Sequence, residues 1–94
     1  MDGKKTQMIL FQRRKHLLIE EYLKNIRAIS NEAWNIFKSH LTTEDKPDEW
    51  WDEIHNQFGE LLRRYTDTPY YNYGYALYDL YTKEIGKVMR GEYE

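Results

Sequence analysis

The sequence predicts an all-α protein, a small up-and-down bundle of three to four helices with a first helix that is long or bent near Ser30. Three observations carry that expectation. Apolar residues recur at three- and four-residue intervals along nearly the whole chain. The two prolines, Pro47 and Pro69, stand where helices would start. Strand-like alternation is confined to Tyr71-Asn72-Tyr73-Gly74-Tyr75, where a strand or irregular turn is the minor alternative.

A chain of 94 residues allows one domain, 1–94, with residues 1–5 expected to be disordered. A domain this small buries roughly 60–65% of its unfolded surface, so its stability margin is thin. The mean hydropathy, -0.93, is low. The three Trp, nine Tyr and three Phe offset it, because each ring can bury a large apolar area.

The first helical stretch runs from about Lys5 to Leu41. One stripe reads Phe11, Leu18, Tyr22, Ile26, Ile29, Ala33, Ile36, and a second beside it reads Ile9, Ile19, Leu23, Ala33, Phe37, Leu41. Together they form an apolar face wider than a surface helix needs. Such a face must meet two neighbours, or one neighbour and a second chain. Ser30-Asn31 is the natural break, since either residue can cap a new helix. Unbroken, the stretch reaches roughly 55 Å and overhangs a compact domain.

Residues 41–46 read as a loop. The next helix is expected to open at Asp45 or Lys46 with Pro47 in its first turn, where Asp48 and Glu49 suit the positive end of the helix dipole. Its stripe is Trp50, Ile54, Phe58, Leu61, Tyr65, flanked by Trp51 and Leu62. Gly59 costs about 1 kcal/mol there relative to Ala and is a candidate for a close helix crossing. The last helix should start at Thr68-Pro69, with Thr68 as N-cap, and stop at Gly91. The expected core is Phe11, Leu18, Tyr22, Ile26, Ile29, Trp34, Ile36, Phe37, Trp51, Ile54, Phe58, Leu61, Leu77 and Ile85.

Charge is unevenly laid out beneath a net of -2. Residues 1–41 hold eight Lys/Arg against four Asp/Glu, whereas residues 42–60 hold Lys46 against seven Asp/Glu. The two segments either pack against each other or form separate faces for different partners. The absence of cysteine excludes a disulfide scaffold, a thiolate zinc site and a cysteine nucleophile. No apolar run approaches a membrane span or a signal-peptide core, so residence in the cytoplasm is the expectation.

Six tyrosines, Tyr70, Tyr71, Tyr73, Tyr75, Tyr78 and Tyr81, fall within twelve residues. On a helix they point in at least three directions, so they cannot all enter one core. Tyr70, Tyr71, Tyr75 and Tyr78 are candidates for a protein-binding surface, because a tyrosine ring packs while its hydroxyl stays hydrated. The simpler alternative is that the rings fill the core with their hydroxyls at its rim. Arg13, Arg14 and Lys15 are candidates for nucleic-acid binding, which draws on clustered positive charge. Against this stands the slightly acidic whole, pI about 5.9.

The histidines His16, His40 and His55 pair with carboxylates at helical spacing only as His16–Glu20 and Asp52–His55, half of what a bundle metal site needs. No metal or other cofactor is expected. Glycines are isolated, no nucleophile sits in a motif, and a small bundle has little room for a deep pocket, so no catalytic residue and no enzyme activity are expected. The amphipathic first helix is better matched to packing than to a membrane surface. The expected function is a non-enzymatic protein-protein interaction or regulatory module binding another protein or a second copy of itself. It would use the excess face of the first helix and the tyrosine-rich last helix. Nucleic-acid association is the alternative.

Overall fold

A computed structural model describes the chain from Asp2 onward, with side chains described from Leu18 onward. Three helices, not four, account for it: α1 (Asp2–Ser39), α2 (Asp48–Arg63) and α3 (Tyr71–Met89). The expected disorder of residues 1–5, the core position of Phe11 and the basic residues Arg13, Arg14 and Lys15 lie outside the described side chains.

α1 is unbroken through Ser30-Asn31. The Ser30 hydroxyl does not cap a new helix; it hydrogen-bonds the Tyr73 hydroxyl of α3 at 2.6 Å. A serine engaged sideways to a neighbouring helix leaves the backbone ladder intact. The helix ends where the His40 Nδ1 meets the Ile36 carbonyl at 2.7 Å, closing the last turn. In the loop that follows, the Glu44 N–H donates to the Thr42 hydroxyl at 3.1 Å.

α2 begins one residue after Pro47, which is extended (φ -71, ψ 168) and occupies the cap position, not the first turn. Asp48 and Glu49 occupy that first turn. The chain then reverses through residues 64–70, where Asp67 takes a left-handed conformation, φ 64, tolerated by an Asp better than by a bulkier residue. Thr68 organises the turn as a cap would: its hydroxyl accepts from the Tyr70 N–H and its carbonyl from the Tyr71 N–H. Regular helix nevertheless starts only at Tyr71, two residues after Pro69, and the whole of Tyr71–Tyr75 is helical. Gly91, at φ +74, ends α3 as expected. The Glu92 N–H bonds the Lys87 carbonyl and the Gly91 N–H that of Val88, a Schellman arrangement that needs the left-handed residue.

The order is up-down-up. His40 meets Trp50 at one end of the α1–α2 pair and Glu32 pairs with Arg64 at the other. α3 returns alongside α1, with Tyr73 at Ser30 and Tyr81 stacked on Phe37 at 4.5 Å. Ile29, Ala33, Ile36, Ile54, Phe58, Leu61, Leu62 and Ile85 form the buried core. Phe37, Trp51 and Leu77 pack on it partly buried, and Ile26 is half-buried.

Three expected core residues are not in it: Leu18, Tyr22 and Trp34 are 58%, 52% and 50% exposed. Leu18 and Tyr22 share a face with Ile29 and Ile36, but the α2–α3 hairpin does not extend over them. Trp34 sits to one side, against Phe37 and Tyr81. The close crossing belongs to Gly74, not to Gly59. A Cβ on Gly74 would lie 2.9 Å from Leu62 and 3.6 Å from Ile29, whereas one on Gly59 would have nothing within 4 Å.

Candidate protein-interaction site

Two surfaces stand out. The first is α1 before Ile29. Leu18, Ile19, Tyr22 and Leu23 are each more than half exposed, and four such side chains on one helical segment make a continuous apolar strip. Tyr22 marks its boundary, because its ring meets that of Tyr70 in the α2–α3 turn at 6.2 Å. The hairpin therefore reaches along α1 from His40 only to about Tyr22.

The second surface is a row of aromatic rings along the α2–α3 hairpin. Tyr71 stacks on Tyr75 at 6.3 Å, Tyr75 meets Tyr78 edge-on at 5.7 Å, and Tyr78 meets His55 at 5.6 Å. His55 stacks on Trp51, and Trp51 meets Trp50. Helical spacing explains the row: residues 71, 75 and 78 of α3 and residues 51 and 55 of α2 each lie one turn apart on one face. Among the sequence-predicted site residues, the structure brings together Tyr71, Tyr75 and Tyr78. It places Tyr70 apart, in the turn against Tyr22.

Exposure divides the row. Tyr75 is 50% exposed, while Tyr71 and Tyr78 are half-buried. Tyr78 does two jobs: its ring packs on buried Phe58 at 5.2 Å and its hydroxyl hydrogen-bonds His55 Nδ1 at 2.6 Å. Burial, followed by the neighbouring Tyr75 and Asp79, pushes its phenol above the ordinary tyrosine value. The sequence reading missed His55, Trp50 and Trp51 as members of this surface. Their only signal was their place in the α2 stripe, for Trp50, or at its edge, for Trp51 and His55.

The acidic residues of the loop and of early α2 lie near the C-terminal end of α1. Among the described residues, an ion pair joins Glu32 of α1 to Arg64, the residue that caps the end of α2. The open groove between α1 and α2, about 650 Å³, is lined by Ile36 and Leu61 together with Glu32, Asn35, Gln57 and Arg64.

At the C-terminus, Glu84 accepts from the Tyr93 hydroxyl at 2.6 Å and from Lys87 at 3.4 Å. The Tyr93 bond first, and then Lys87, hold the Glu84 carboxyl below the usual carboxylate range. This network ties the chain end to α3 and was not legible in the sequence. Among the described residues no cluster of three His, Asp or Glu could hold a metal ion, and no helix is long and apolar enough to cross a membrane. In comparisons with known proteins, no family model, no curated protein and no solved structure matches this chain.

Proposed function

We propose that this protein is a non-enzymatic interaction module of the cytoplasm, a three-helix bundle that docks a protein partner on the uncovered half of α1. The observation that carries this reading is the strip Leu18, Ile19, Tyr22 and Leu23, exposed although it continues the face that is core from Ile29 onward. A helix stripe already shaped for packing favours another helical, apolar surface. The surplus of Lys and Arg in residues 1–41 favours a partner whose border is acidic. The tyrosine-rich α3 supplies the second surface.

A photo-crosslinking residue placed at Leu18 or Tyr22 tests this in the source cell. A discrete protein adduct is expected from both positions, and none from a control at exposed Glu60. Absence of any adduct at Leu18 and Tyr22 would overturn the proposal.

Nucleic-acid association remains the second reading and rests on Arg13, Arg14 and Lys15 in the sequence. It requires binding that falls steeply with salt and disappears when all three become Ala. A flat titration at low salt would end it.

A further inference from the structure

We infer that the partner is a second copy of this chain, and that two copies clasp reciprocally: the uncovered strip of each α1 packs on the aromatic row of the other copy's α2–α3 hairpin. This inference rests on the proposed docking role of α1 and names what docks there.

Direction is the first argument. Leu18 and Tyr22 share a face with Ile29 and Ile36, so the strip points to the side on which the hairpin lies, just beyond its turn at Tyr70. A body filling that space sits end-on to the hairpin and lies along α1. If it is a second hairpin carried on its own antiparallel α1, the two-fold operation places the first hairpin under the second copy's strip. One contact then generates the other, as an isologous interface requires.

The receiving surface is the second argument. Within the row, Tyr71, Tyr75 and Tyr78 follow one another along α3 and meet α2 through Tyr78–His55, whereas contact with α1 is made by Trp50 at His40, by Tyr73 at Ser30 and by Tyr81 at Phe37. The row therefore remains available on the hairpin after its own α1 has packed, with Tyr75 half exposed and His55 exposed. Aromatic rings with hydrated polar tips suit the centre of such an interface.

Charge is the third argument. Glu44, Asp45, Asp48 and Glu49 lie beside the end of α1 at His40, about 24 Å along the axis from Lys24, too far for direct pairing within one copy. An antiparallel second α1 brings its basic N-terminal half towards those acids. Two like strips packed directly on each other would instead set Arg13, Arg14 and Lys15 of both copies near the dyad. The sequence thus favours strip on hairpin over strip on strip.

The chain has no cysteine, so a single introduced thiol reports one contact. Leu18→Cys and Tyr75→Cys, each at a half-exposed position, are purified separately, checked for helical content, then mixed and oxidised. The expected result is a disulfide between the two variants in the mixture, little in either alone, and an uncrosslinked mass twice 11.6 kDa by light scattering. The dimer should also weaken as ionic strength rises. A disulfide joining two Leu18→Cys copies, or a monomer at every concentration, overturns the clasp. A monomer that still yields an adduct of foreign mass at Leu18 in cells overturns the clasp alone and leaves the docking role standing.

Discussion

Two glycines in this chain have opposite roles. A methyl on Gly59 meets open space, so Gly59→Ala should gain up to about 1 kcal/mol from helix propensity alone. A methyl on Gly74 presses on Leu62 beside Ile29, so Gly74→Ala should lose about 1–3 kcal/mol to overpacking before the propensity gain is counted. Thermal melts of the two variants should move in opposite directions; a shared direction would show that the crossing is not as tight as the geometry says. Phe58 is fully buried, and Phe58→Ala should cost about 3–5 kcal/mol. Glu84 gives a pH prediction. Its carboxyl is depressed in the folded state, so the stabilisation is present above its ordinary value of about 4.3 and lost as pH falls through the folded value. Tyr93 resonances should shift in that acidic window, and Glu84→Gln should flatten the response.

At the scale of the element, α1 is where prediction and structure part. Replacing Leu18 and Leu23 with Ser should leave the monomer's stability, measured at low concentration, within about 0.5 kcal/mol of the parent, because neither side chain is packed in the monomer. Association should be lost, and a melt that collapses with association intact would assign the strip to the core. Periodicity identified the apolar face of α1 correctly from Leu18 to Ile36. It could not show how far the hairpin reaches along that face, because reach is set by the lengths of α2 and α3 and by the turn at residues 64–70. Ser30 illustrates the same limit: a capping residue in sequence became a cross-helix partner once Tyr73 stood opposite. α2, with all its stripe residues in one phase, was legible almost throughout. Only its start moved, from Asp45 or Lys46 to Asp48.

For the whole molecule, two prolines and a loop without apolar period gave the up-and-down order, while the count stayed at three or four until α1 proved continuous through Ser30-Asn31. The surface did not follow as readily. Tyr71, Tyr75 and Tyr78 were foreseeable as one group by spacing, but His55, Trp51 and Trp50 joined them only because α2 and α3 lie side by side. Segment charge was legible as an imbalance. Its layout in space needed the antiparallel register, which sets the acids of the loop and of early α2 beside the His40 end of α1.

The unbroken α1 also grades the molecule's own persistence. From Ile29 to Ser39 its amides are held by the core, so they open only with the bundle. From Tyr22 back to Leu18 the apolar side chains stand exposed, so these amides depend mainly on the helix's own hydrogen bonds. Helix without tertiary support is only marginally stable in water. Deuterium should therefore enter this helix as a front advancing from Leu18 toward Ile29. Raising the protein concentration should push that front back, which makes the degree of order in α1 a measure of how much of the protein is in company.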